Sequence, residues 1–150
     1  MKGNYYNNPL NYLILATMIA TDAHQKQTNK REMLYRGHPI MIAKNIGTTK
    51  GKIVAILNDV IKYSDYTLED FELYGFSEDI IKAIKVLNKK EDCDYNQYIL
   101  KIKANPLARK VKIENLKCNL NAFRADRIIL TKELLKKHEL DKKSLAFLTD

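Results

Sequence analysis

An all-α fold follows from three features of the 150-residue sequence: few turn-forming residues, apolar residues spaced three and four apart, and helix-start signals ahead of the main apolar runs. Only 5 Gly and 3 Pro punctuate the chain, too few for many short strands joined by tight hairpins. The length and the 45% hydrophobic content suit one compact helical domain over residues 1–150. They exclude a disordered, collagenous or disulfide-scaffold protein.

The elements follow in order. Asn8 and Pro9 make an N-cap followed by Pro at the first helical position. Leu10, Leu13, Ile14, Thr17, Met18 and Thr21 then predict the apolar face of a helix ending near His24. Polar residues from Gln25 to Arg31 predict a loop, and Pro39 to Asn45 a short helix stopped by Gly47. Ile53, Ala55, Ile56, Leu57, Val60 and Ile61 are apolar around much of a helix, which marks a central, buried element. Thr67 and Asp70 have the spacing of a capping box. Ser77 caps a segment whose face is Ile80, Ile81, Ile84 and Leu87. Tyr95 to Lys103 forms a short helix, and Pro106 opens one with Leu107, Val111, Ile113 and Leu116. The tail from Ala122 reads as two helices broken near Asp141.

The longest apolar stretch, Tyr12 to Ala20, is far shorter than a bilayer span, so no membrane segment is expected. The polar, Tyr-rich start is unlike a signal peptide. Cys93 and Cys118 lack a CxxC pattern and suit reduced thiols in a cytoplasmic protein. The net charge of +8 is uneven, with 9 basic against 7 acidic residues over 1–75 and 17 against 11 over 76–150. That sign favours phosphorylated small molecules or nucleic acid as partners, or simply a well-solvated helical surface. No recognised nucleic-acid motif or basic stripe is present, which makes a nucleic-acid-binding helical protein the weaker expectation.

Asn58, Asp59, Lys62 and Tyr63 stand at i, i+1, i+4 and i+5 of the central helix, on one side of an otherwise apolar rod. A buried Asp59 needs a cationic partner. Lys62 one turn on, a histidine from elsewhere or a metal would each serve. His24 and His38, the latter followed by Pro39, supply two of the chain's three histidines.

Together these segments resemble a known family. Ala23, His24, Gln27, Lys30, Tyr35, His38 and Pro39 are similar to the AHxGQxxKxxxPYxxHP opening of HD-domain hydrolases of the RelA/SpoT type. Ile56 to Leu68 resembles their LLHDVIEDTxxT segment, and Val111 to Asn119 their VKLADRLxN segment. The likeness spans about residues 16–121 in the family's order, leaving 122–150 as a C-terminal helical extension. It implies an all-helical HD domain and metal-dependent removal of the 3′-pyrophosphate from guanosine polyphosphates. In that family a divalent cation, usually manganese, is held by the His of HP, the His and Asp of HD and the Asp of VKLAD. A Glu-Asp pair one turn after HD activates water.

Carried onto this chain, the metal positions are His38, Asn58, Asp59 and Glu114, and the water-activating pair is Lys62 and Tyr63. Asn58 replaces the HD histidine, which removes the better donor for a transition metal, and leaves at most weak binding of Mn²⁺ or Mg²⁺. Lys62 and Tyr63 take away the general base and set an ammonium beside Asp59, where it competes with a cation. Lys30, Tyr35, Lys112 and Asn119 keep the residue types of the family's nucleotide side, with Tyr95 and Tyr98 a weaker correspondence. The expectation is a phosphorylated-nucleotide binder with impaired hydrolysis. A metal-dependent phosphohydrolase with an altered ligand set is the alternative.

Overall fold

The computed structural model describes residues 8–25, 42–90, 92–125 and 132–150. Its helices are α1 (Pro9–Gln25), α2 (Thr49–Tyr63), α3 (Leu68–Leu73), α4 (Glu78–Leu87), α5 (Tyr95–Ala104), α6 (Pro106–Ala125) and α7 (Lys132–Thr149). The fold is all-α, and no strand occurs among the described residues.

The helix α2 is central, packing against α1, α4 and α6. Its breadth of apolar sequence is why: Ile53, Val54, Ala55, Ile56, Leu57 and Val60 are all buried. The Thr48 hydroxyl caps it by accepting from the Gly51 amide at 3.2 Å. Gly51 is needed for close approach, because a Cβ there would stand 2.5 Å from the Ile46 Cγ2 atom. Behind α2, α5 and α7 close over α6. Leu148, fully buried, anchors α7, while the Arg109 Nε donates to the Leu148 carbonyl at 2.6 Å. The Lys103 ammonium lies 4.2 Å from the Phe147 ring centre.

The expected capping box at α3 is formed. The Thr67 amide donates to Asp70 Oδ2 at 2.9 Å, and the Asp70 amide donates to Thr67 Oγ1 at 3.3 Å. The helix stops in a Schellman arrangement: the Phe76 amide reaches the Phe71 carbonyl (3.2 Å) and the Gly75 amide the Glu72 carbonyl (3.0 Å). Gly75 makes this turn at φ +90°, where a side chain is strained. Phe76 meets Phe71 edge to face with ring centres 6.1 Å apart, so the backbone stop is locked by packing.

Three local expectations are corrected. Ser77 stands at the N-cap of α4 but makes no side-chain cap bond; its hydroxyl donates instead to the Asp79 carboxylate. The tail does not break at Asp141, because α7 runs unbroken through it to Thr149, with Lys137 one turn before it and Ser144 one turn after it on the same face. The first helix buries the opposite face from the one expected. Ala16, Ile19 and Ala23 enter the core, while Leu10, Ile14 and Met18 remain 58%, 60% and 64% exposed. The apolar residues surround α1 on both sides, and its small residues permit the closer approach to α2.

Candidate functional site

The described part of the site is assembled where the C-terminal turn of α2 packs on α6, which in turn carries α5 and α7. The helix period brings Asn58, Asp59 and Lys62 to the end of α2, and the pairings of α2 with α6 and of α6 with α5 and α7 carry Lys112, Tyr98, Lys137 and Asp141 toward them. Asn58 is buried at 7% exposure, and among the described residues its Oδ1 has no hydrogen-bond partner. Asp59 is half-buried, and desolvation pushes its carboxyl up to about 6 although Lys62 pulls the other way.

Three ammonium groups sense one another here. Burial holds Lys112 down to about 8, and Lys62 and Lys137 lower it further while Asp141 opposes them. Lys62, though largely exposed along its length, is lowered by desolvation at its ammonium and by Lys137, with Asp59 working against both. The Lys137 Nζ lies 4.0 Å from Asp141 Oδ2. The Lys112 ammonium stands 5.6 Å from the centre of the Tyr98 ring, within cation–π range.

The aromatic wall is fixed by polar contacts at its edges. The Tyr98 hydroxyl donates to the Leu87 carbonyl at 2.9 Å, and burial, with Tyr95 adding to it, pushes its pKa up to about 12. Tyr95 shares a 2.8 Å hydrogen bond with Ser144 Oγ, which itself donates to the Leu140 carbonyl at 2.8 Å. The two tyrosine rings stand 5.7 Å apart in a tilted pair. Tyr95 therefore seats α7 on α5, while Tyr98 ties α5 to the end of α4 and backs Lys112 of the lysine cluster.

The remaining expected residues are placed as follows. Glu114 is mostly buried and pairs with the Lys117 Nζ at 3.4 Å, one turn along α6. It lies two positions from Lys112, so the two side chains leave α6 in nearly opposite directions. Asn119 donates through Nδ2 to Asn115 Oδ1 at 3.3 Å, which orients both amides along α6. Tyr63 closes α2 at 40% exposure. His38, Lys30 and Tyr35 lie outside the described residues. Among the described residues, no three His, Cys, Asp or Glu side chains gather in a group that could hold a metal ion.

Sequence reasoning missed Lys137, Asp141 and Ser144. Their spacing of four and then three, in a tail read as a C-terminal helical extension, was the available signal. Chemically, the patch sets three ammonium groups against two carboxylates beside an aromatic surface. The excess cation, partly withdrawn from water, suits a phosphoryl or carboxylate group better than a neutral ligand.

No helix among the described residues is long and apolar enough to cross a membrane. The chain matches no protein-family model and no curated protein.

Proposed function

We propose that this protein binds a phosphorylated small molecule at the patch formed by Lys62, Lys112 and Lys137, and that its hydrolytic chemistry is impaired. One observation carries the reading: Lys62, Lys112 and Lys137 come from three helices and stand close enough to repel one another, and Lys112, held down to about 8 chiefly by burial, is lowered further by the other two with Asp141 opposing. An anion placed there would relieve the repulsion and favour the charged form of Lys112. The resemblance to RelA/SpoT-type HD domains supplies the ligand class, a guanosine polyphosphate; Tyr98, buried in the core, backs the Lys112 ammonium. The free thiols of Cys93 and Cys118 support a reducing, cytoplasmic setting.

The family's metal fits the described residues poorly. The Asn58 oxygen, without a partner among the described residues, and the Asp59 carboxylate are hard donors that a divalent cation accepts. Against them, Lys62 already provides positive charge at Asp59, and Glu114 is engaged by Lys117. With Lys62 and Tyr63 where the family has carboxylates, no general base stands one turn after Asp59, and no hydrolytic step is assigned to this chain.

Calorimetry with guanosine tetraphosphate and with inorganic pyrophosphate, each with and without Mn²⁺, tests the reading. Binding without metal, weakened at least about tenfold by Lys112→Met, is expected. Turnover with Mn²⁺ should be negligible. The combined Asn58→His, Lys62→Glu and Tyr63→Asp variant should gain manganese binding. Absence of binding to either compound would overturn the proposed ligand class, and rapid hydrolysis by the unmodified protein would overturn the impairment.

A further inference from the structure

We propose that Lys137 determines which anions the lysine patch accepts. In the free protein its ammonium is parked on Asp141; a terminal phosphomonoester or pyrophosphate draws it across, and a singly charged phosphodiester leaves it where it is. The inference rests on the phosphate-binding reading of the patch and names the charge that the ligand must carry.

The Lys137–Asp141 pair has one fixed end and one loose end. Asp141 is buried, and α7 is seated firmly on both sides of Ser144, one turn beyond it. Ser144 shares the 2.8 Å bond with the Tyr95 hydroxyl, and further along the Leu148 side chain is buried while its carbonyl accepts from Arg109 at 2.6 Å. The Asp141 charge acts on Lys112 and on Tyr95 as well, so it belongs to the patch. Lys137 is the opposite case. Its side chain is 64% exposed against 12% for Asp141, and its Nζ comes no nearer than 4.0 Å to Asp141 Oδ2, the outer limit of an ion pair. The flexible hydrocarbon stem lets the ammonium turn about its anchored backbone, and the buried carboxylate cannot follow.

The place to which the arm would turn is already marked. Lys112 is partly buried, with its ammonium 5.6 Å from the centre of the Tyr98 ring, and that ring is held by the bond to the Leu87 carbonyl. Lys62 has Asp59 beside it on the same helix. Lys137 repels both lysines, so an anion seated on Lys112 lies within its electrostatic range.

Charge then decides whether the arm moves. A loose, solvent-facing ion pair is worth at most about fivefold in an equilibrium, so Asp141 holds Lys137 only lightly. A diester has a single negative charge, which Lys112 alone satisfies. A phosphomonoester carries about −1.5 to −2 at neutral pH, and the charge left over competes with Asp141 through short, charge-assisted hydrogen bonds. The patch is thereby matched to a chain end or a free phosphate, and the diester backbone of a nucleic acid gains nothing from Lys137.

Calorimetry at about pH 7.5 with inorganic pyrophosphate, methyl phosphate and dimethyl phosphate tests this on wild type, Lys137→Met, Asp141→Asn and the double variant, each checked for folding by circular dichroism. Lys137→Met should weaken pyrophosphate about three- to tenfold and leave dimethyl phosphate within about twofold. Asp141→Asn should tighten pyrophosphate by about threefold or more, and most of that gain should vanish in the double variant, where there is no arm to release. A gain that persists undiminished without Lys137 makes Asp141 a fixed countercharge and overturns the proposal. Equal weakening of pyrophosphate and dimethyl phosphate by Lys137→Met, or no weakening of either, overturns it while the phosphate-binding reading stands. If neither pyrophosphate nor methyl phosphate binds any of the four proteins, both fall.

Discussion

Replacing Lys112 with methionine should make the protein more stable at neutral pH while weakening its hold on phosphate. Burial lowers the Lys112 pKa from 10.5 to about 8, so holding its charge in the folded state costs about 3 kcal/mol at pH 7. The contact with the Tyr98 ring returns about 0.5–1 kcal/mol of that, leaving a net cost of about 2 kcal/mol. Methionine fills the channel of the lysine stem without the charge. Its gain should appear as about 4–8 °C in Tm. The pH dependence gives the sharper test. Because the folded-state pKa is depressed, the unfolded chain holds this proton longer, and wild-type stability rises as pH increases from about 8 to 10.5. The variant lacks that rise, so its advantage should shrink between pH 7 and pH 10. Urea denaturation at constant ionic strength reads both values. A Lys112→Met protein less stable than wild type at pH 7, or equally advantaged at both ends, would refute the claim that this lysine is held charged at a cost.

Three further outcomes are expected. Asp59→Asn should stabilise by about 1–3 kcal/mol at pH 7.5, since a carboxyl raised from 3.8 to about 6 loses stability as pH climbs through that window; urea midpoints at pH 4.5 should show a much smaller gain. Phe71→Ala empties a fully buried site flanked by Tyr66 and Phe76 and should cost about 3–5 kcal/mol by the same measurement, with a loss below about 1 kcal/mol contradicting the packing described. Gly75→Ala forces a side chain into φ +90° with its Cβ 3.3 Å from the Tyr12 hydroxyl, and a thermal melt should register a loss of about 1–2 kcal/mol.

The helical class, the central place of α2, the Thr67–Asp70 box and the Pro106 helix start were all readable locally, because each depends on residues within one or two turns. The inward face of α1 was not. Periodicity reports that a face is apolar, and this helix has two; the choice between them is made by how closely Ala16 and Ala23 let the backbone approach α2. Asp141 looked like a break because aspartate is a poor helix former, yet Lys137 one turn before it and burial against α5 and α6 override the preference. Of the site, Asp59 with Lys62 was legible from their spacing on α2. The depressed Lys112 and the arrival of Lys137 were not, since both arise from packing between helices far apart in sequence. Nothing in the tail's run of lysines distinguishes Lys137 from its neighbours until α7 is docked.

A helix with two greasy faces also poses a folding problem. Turned half a revolution about its axis, α1 would bury Leu10, Ile14 and Met18 against α2 and withdraw Ile19 and its neighbours from the core. What such a rotamer of the whole helix lacks is closeness: bulky side chains would hold the two backbones apart, and Tyr66 would lose its 2.7 Å hydrogen bond to Asp22. The native face is then selected by closeness of fit, and the inverted docking is a compact competitor on the way to it. Refolding should accordingly contain a slow phase that owes nothing to proline. Ile14→Glu, by making the wrong face too polar to bury, should abolish that phase.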